Sequence, residues 1–418
     1  MRVLHINTLQ HGGAAQCVFR LSNALIREGV DSRVLIAEGD TLPEGVRGAV
    51  ARQDRHFWNN HRLLRRVKDR LARLGVWLVR AERMQEQLRR LNTPYLCRHQ
   101  PLTLYRNIAR HPLVEWADVI HLHWVADLVD YPTFFREVRK PLVWTLHDKY
   151  PAEGVQHYTS SFFPLPEQLL AFDALCRTIK RRDVARARNL HLVAISEPMA
   201  AVCRQSDVLR GFPVTLIHNG VDTTVFRPYD KRAVREELGL DQDARIFLFS
   251  SYILYDSNKG LDRLLRALEQ TATPRQVLVC VGKADNGQLP ATSVPVVQTG
   301  LLTSQTTMAK YYAAADYFVQ CAYEESFGQT VLEAMACGTP VVSTPCGIAP
   351  ELVRPFNGVM CRGYGPDAIA QGIAEALATC YDALAIRQYI VDHYRYELIA
   401  LQHIGLYGKV RRKRTETT

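Results

Sequence analysis

The sequence predicts an α/β protein of two doubly wound domains, and three observations carry that expectation. The chain is 418 residues long, enough for two or three domains with cores of their own. Short runs rich in Val, Ile and Leu alternate with longer helical patterns, which is how strands read when a parallel sheet is covered by helices on both faces. The series then breaks and starts again, so each half supplies one sheet. With 47% of residues hydrophobic and 22% charged, disordered, collagen-like and disulfide-stapled classes are excluded, because all need more skewed compositions.

In the first half the expected strands are Val3 to Ile6, Arg33 to Ile36, Val119 to Leu122, Leu142 to Leu146, His191 to Ile195 and Thr215 to Ile217. In the second half they are Ile246 to Phe249, Val277 to Val281, Val294 to Gln298, Tyr317 to Gln320 and Val341 to Ser343. Asn219-Gly220, followed by Phe226, Arg227 and Pro228, breaks the periodicity between the two series. The expected organisation is a first domain at 1–217 with a basic helical insertion at 52–110, a hinge at 218–229 and a second domain at 230–392. A helix at 393–410 follows, strongest from Glu397 to Lys409, and the basic tail 411–418 is expected to fray.

The ten cysteines include no Cys-x-x-Cys pair, which disfavours zinc ribbons and thioredoxin-like redox sites. Most sit in apolar surroundings and read as reduced, buried thiols of a cytosolic protein. Met1 to Asn7 reads as a strand rather than a signal peptide. Ala334 to Pro350, an uncharged stretch, is broken by Gly338, Pro340 and Gly347, so it is not expected to cross a membrane.

Ligands of doubly wound sheets bind where strands lead into helices, so those junctions hold the candidates. After the first strand, Gly12 and Gly13 open a helix and could admit an anion at its positive end; a tight turn explains the pair equally well. Neither GxGxxG nor a P-loop is present, which removes the main support for dinucleotide and ATPase readings. His147 and Asp148 close the strand Leu142 to Leu146. There a histidine can act on a developing charge while the acid holds its tautomer or binds a hydroxyl; a strand-end histidine with a capping acid is the plain alternative. Ser196 reads as a helix cap. Lys259, followed by Gly260, can place an ammonium over a phosphate. The strongest element is Glu325-Ser326-Phe327-Gly328 leading into a helix that carries Glu333. Two acceptor-only carboxylates eight positions apart can grip a sugar hydroxyl and a ribose, with helix N–H groups left for a diphosphate.

Taken together these stretches resemble the family 4 retaining glycosyltransferases of the GT-B fold. The resemblance rests on Glu325 and Glu333 as an E-x7-E motif continuing into EAMACGTPVV, GGAA after the first strand, HNGVD with Phe226 and Pro228, NKG, and YYAAADYFVQ. It implies two Rossmann-like domains facing across a cleft, with the C-terminal helix crossing back to the first. By the same resemblance Gly13, Lys259 and Gly282 contact the donor, Glu333 its ribose, and Glu325 with Ser326, Phe327 and Gly328 the transferred sugar. His147, Lys259 and Glu325 are the catalytic set, and Gly12, Asp148 and Ser196 lie on the acceptor side. The family pairs the lysine with an arginine about five residues earlier, and Ser251 to Ser257 contains none.

The strings VIHLHW and VWTLHD resemble, more narrowly, bacterial transferases of exopolysaccharide, colanic-acid-type and O-antigen assembly. The implied reaction moves a sugar from a UDP- or GDP-sugar to a lipid-linked glycan with retention of configuration, without a metal or other cofactor. Closure about the hinge would exclude water. The alternative is a GT-B relative that has lost catalysis and serves as a scaffold. An epimerase fits the motif order poorly, and a nucleic-acid reading rests on the pI of about 9.1 alone.

The formal net charge of +10 is local: Arg52 to Arg110 carries fifteen Lys or Arg against four acids, leaving the remaining chain near neutral. Between Arg62 and Leu91, leucines recur at helical spacing among arginines. Arg65, Arg66, Arg70, Arg73 and Trp77 are therefore expected to meet an anionic membrane surface, so that the protein is cytoplasmic or peripheral on the inner face. A solvated face on a helix packed by its leucines accounts for the same pattern.

Overall fold

The computed structural model describes residues 1–39, 41–52, 66–67, 70–71, 80–91, 99–105, 107–158, 162–271, 273–284 and 291–415. They divide into two compact units, Met1–Ile217 with Ala400–Thr418, and His218–Ile399.

The first unit runs β1 (Arg2–Ile6), α1 (Gly13–Arg27), β2 (Asp31–Ile36), β3 (Gly48–Val50), α2 (Arg80–Arg90), α3 (Pro112–Trp116), β4 (Val119–Leu122), α4 (Tyr131–Glu137), β5 (Leu142–Leu146), α5 (Leu170–Val184), β6 (Leu190–Ala194), α6 (Glu197–Gln205) and β7 (Val214–Leu216). Its sheet has the order β3-β2-β1-β4-β5-β6-β7. Every pairing in it is parallel.

The second unit runs α7 (Lys231–Glu237), β8 (Arg245–Ile253), α8 (Leu261–Thr271), β9 (Gln276–Lys283), β10 (Val296–Gly300), α9 (Gln305–Ala314), β11 (Tyr317–Gln320), α10 (Gln329–Ala336), β12 (Val341–Ser343), α11 (Ala349–Leu352), β13 (Gly358–Met360), α12 (Pro366–Leu377) and α13 (Ala383–Tyr394). Its sheet, β10-β9-β8-β11-β12-β13, is also parallel. A last helix, α14 (Tyr396–Thr415), follows.

In both sheets the strand order reverses beside the first strand, between β1 and β4 and between β8 and β11. At such a switch point the loops leave in opposite directions and open a crevice at the carboxyl ends of the strands. Three inner strands are buried end to end: β4, β5 and β11 have no exposed residue. Each large apolar side chain so covered contributes about 1.5–3 kcal/mol. Leu261, Leu264, Leu265 and Leu268 of α8 recur at helical spacing and pack on Phe247, Phe249 and Leu278 of the second sheet.

Three differences from the sequence expectation have physical reasons. The strands β3 and β13 were not expected; each is a three-residue edge strand beginning at a glycine, too short to show a period. The last helix does not fray at Arg411 but continues to Thr415. Leu406, Tyr407 and Val410 are buried, and basic residues suit the negative end of a helix dipole. Finally, α2 turns Ala81, Met84 and Leu88 inward against Leu102, Val155, Leu169 and Phe172. That part of the expected amphipathic stretch spends its apolar face on the unit's own core.

Candidate active site

In the second unit the site forms where the loops after β8 and β11 leave the switch point. Asn258, fully buried, ties the two loops together. Its side-chain amide donates to the Glu324 carbonyl at 2.9 Å and accepts the Glu324 N–H at 2.9 Å, while its own carbonyl accepts the Tyr323 N–H at 2.9 Å. Arg263 reinforces the tie by donating to the carbonyls of Ser257, Asn258 and Cys321 and lying 3.5 Å from the centre of the Tyr323 ring. On this base the Lys259 ammonium donates to Glu325 Oε1. Both side chains are about one-fifth exposed, so the pair is formed and still reachable.

The next turn brings backbone close to backbone. Phe327 is buried and its carbonyl accepts the Ile348 N–H at 2.7 Å. Gly328 has φ 90° and caps α10, and a Cβ there would lie 2.9 Å from Gln320 Oε1. Gly282, where β9 ends, is held at φ 151° with the Ser251 carbonyl 1.9 Å from where a Cβ would stand; only glycine fits. Ser326, between Glu325 and Phe327, is half-buried. Glu333, one turn into α10, is buried and accepts from the Tyr312 hydroxyl at 3.4 Å. Glu351 meets His218 Nε2 at 2.9 Å.

The first unit presents a different chemistry. His147 follows β5, and its Nε2 lies 3.0 Å from His123 Nδ1. Burial, aided by His403, pushes the His147 pKa down to about 4 against the pull of the Asp148 charge, so the ring is neutral at neutral pH. Asp148 does not hold His147. Its Oδ2 lies 2.6 Å from His157 Nδ1 and accepts from the Trp124 indole at 2.7 Å, and its Oδ1 accepts the Tyr150 N–H at 3.0 Å. Consecutive residues at a strand end point to opposite sides, so the expected His147–Asp148 pairing is replaced by two separate networks. Burial alone would raise the Asp148 pKa; the His157 partnership and these donated bonds outweigh it and hold the carboxyl below its usual range.

Gly12, at φ 89°, caps α1, and neither it nor Gly13 has an atom within 4 Å of where a Cβ would stand. Ser196 is fully buried, and its hydroxyl caps α6 by accepting the Met199 N–H at 3.4 Å. That is the cap expected of it from the sequence. Arg66 and Arg70 are exposed, whereas Arg65, Arg73 and Trp77 lie outside the described residues. No helix among the described residues is long and apolar enough to cross a membrane.

Residues 11–225 match the model of Glycosyltransferase Family 4, and residues 230–389 match that of Glycosyl transferases group 1. The chain belongs to glycosyltransferase family 4. Curated relatives include the D-inositol 3-phosphate glycosyltransferases of Segniliparus rotundus, 35% identical over 62% of this chain and 58% of the relative, and of Catenulispora acidiphila, 33% identical over 43% and 46%. The chain thus spans about half the length of the curated relatives it matches. Among solved structures, sucrose-phosphate synthase from Thermosynechococcus elongatus superposes with a TM-score of 0.66 at 19% identity, covering 98% of both chains. Anabaena HepE in complex with UDP-glucose gives 0.65 at 18%, covering 98% of this chain and 100% of that one. These likenesses establish the GT-B fold.

Several features of these two regions escape a reading of the sequence. The position five before Lys259, where the family carries arginine, is Leu254, fully buried with its N–H on the Lys283 carbonyl. Asn258 looks like a turn residue until its partners 66 positions away are known. Lys180, fully buried, donates to the carbonyls of Tyr150 and Glu153 and so anchors the segment after Asp148. The histidines His5, His121 and His123 converge with ligand nitrogens within 4.8 Å of one another. Their one available signal is the alternation of His121, in β4, with His123 directly after it, which puts both rings on one side of the chain. One Asp-x-Asp triplet is present, Asp241-Gln242-Asp243; both carboxylates pair with Arg275 on the far side of β8 from the Lys259 loop.

Proposed function

We propose that this family 4 chain transfers a sugar from a nucleotide-diphosphate sugar to an acceptor, with retention of anomeric configuration and without a metal. The observation that carries the reading is the Lys259–Glu325 pair set at the switch point of the second sheet, directly before the N-terminus of the helix that bears Glu333. In the resting chain the two charges neutralise each other. An arriving diphosphate offers Lys259 a stronger partner, and the first N–H groups of α10 add positive potential. Glu325 is thereby released to accept hydroxyls of the transferred sugar, with the Phe327 and Gly328 amides, while Glu333 accepts from the ribose. Charge building on the leaving diphosphate is met by Lys259 and the helix N-terminus. In the same proposal His147 acts at the reacting centre, and Gly12, Asp148 and Ser196 act on the acceptor.

For the acceptor we propose a lipid-linked glycan of bacterial surface polysaccharide assembly, supported by VIHLHW, VWTLHD and the basic segment. A second reading, an inositol phosphate, is favoured by the names of the curated relatives. Purified protein incubated with UDP- and GDP-sugars against both acceptor types separates them. One donor–acceptor pair should yield glycosylated product with the donor's anomeric configuration kept. Product from neither, with nucleotide still bound, would support a non-catalytic binding subunit instead.

The basic segment is proposed to dock on anionic membrane at the inner face. Neutralising Arg65, Arg66, Arg70 and Arg73 should abolish binding to phosphatidylglycerol vesicles in a flotation assay, at about 1 kcal/mol per lost charge, and leave donor affinity unchanged. Unaltered flotation would return these residues to a solvated face.

A further inference from the structure

Beneath His147 lies a chain of three imidazoles. His5 Nδ1 stands 2.8 Å from His123 Nε2, and His123 Nδ1 stands 3.0 Å from His147 Nε2. His5 and His123 are buried, and His147 is partly exposed. A neutral imidazole carries one N–H and one lone pair, so both bonds must run in the same direction along the chain. The far nitrogen of His5, Nε2, decides which direction. It is buried and has no hydrogen-bond partner among the described residues. Were the chain to run from His147 inward, His5 would end it with an N–H that donates to nothing, and orphaned buried donors are the rarer and costlier kind. Running outward, His5 Nε2 keeps a bare lone pair, His5 donates to His123, and His123 donates to His147. The last proton then sits on His147 Nδ1, which has no partner among the described residues.

We infer that His123 is a positioning residue that holds His147 as its Nδ1–H tautomer, with His5 closing the buried end of the chain, so that His147 meets its ligand as a hydrogen-bond donor. The role at a reacting centre rests on the function proposed above; the tautomer does not. A metal site at His5, His121 and His123 is the competing use of the same rings. It is disfavoured because both nitrogens of His121 are engaged, 2.7 Å from the Tyr407 hydroxyl and 2.7 Å from Thr145 Oγ1, and both nitrogens of His123 are spent on the chain.

The test is nitrogen NMR of isotope-labelled full-length protein at neutral pH. The expected spectrum shows His147 and His123 each protonated on Nδ1 with bare Nε2. His5→Phe should leave both tautomers in place, because the blind end of the chain only moves one ring outward. His123→Leu should release the His147 tautomer and lower kcat about tenfold or more with the donor KM unchanged. A His147 proton on Nε2 in the wild type overturns the inference, whether or not any variant folds. So does stoichiometric Zn2+ binding that displaces the His5 and His123 signals. The expected spectrum together with undiminished kcat in folded His123→Leu would instead refute the placement of His147 at the reacting centre.

Discussion

Glu325→Ala is expected to lower transfer by on the order of a thousandfold while nucleoside diphosphate binds as well as before or somewhat better. Lys259 and Glu325 are bonded to each other, so a diphosphate must first compete with a carboxylate for the ammonium. Removing Glu325 removes the competitor and a like charge from the ligand's surroundings, which favours binding. On the proposed mechanism it also removes a group that stabilises the transferred sugar in the transition state, and interactions of that kind are worth two to three decades in rate. Lys259→Ala should separate differently: diphosphate affinity falls at least tenfold, the worth of a charge-assisted bond, and turnover falls with it. Calorimetric UDP or GDP titrations alongside single-turnover kinetics read both quantities. Equal losses of binding and turnover in Glu325→Ala would contradict the exchange.

The second large effect is on stability. Acidification from pH 7 to pH 5 should lower the melting temperature of the first unit by roughly ten degrees or more, with the second unit much less affected. Burial pushes the His5 pKa down to about 3 and the His147 pKa down to about 4, and burial with mutual repulsion holds His121 and His123 well below their ordinary value. The unfolded chain protonates these rings near pH 6.5 while the folded chain resists. Their contribution is therefore complete above pH 6.5 and drains as pH falls toward 4, with a slope approaching one proton per histidine. Differential scanning calorimetry across this range checks the prediction. A first unit whose melting temperature is flat between pH 7 and pH 5 would show that these rings are not buried neutral.

What was legible in the sequence follows from how far apart the partners lie. The parallel sheets showed themselves because a strand covered on both faces needs a nearly continuous apolar run, as at Leu142–Leu146 and Tyr317–Gln320. The donor loop showed itself because Glu325, Ser326, Phe327 and Gly328 are contiguous and Glu333 follows within one helix. The first unit's polar networks did not. His121 finds Tyr407 across 286 positions and His5 finds His123 across 118, and no local pattern announces such pairs. Asp148 was matched with its sequence neighbour when strand geometry sends the two side chains apart. Leu254 shows the reverse case: the missing arginine was visible, while the burial of the residue in its place was not.

The Asn258 amide limits how this chain can change. Two loops anchored to one side chain cannot alter their lengths independently. An insertion of a single residue between Ile253 and Asn258, or between Cys321 and Glu325, would put Lys259 and Glu325 out of step even with every motif residue retained. Loops are ordinarily where insertions are tolerated; here both behave as spliced parts of a fixed gauge. New specificity in this unit has to arise by replacing side chains along the two loops rather than by lengthening either one.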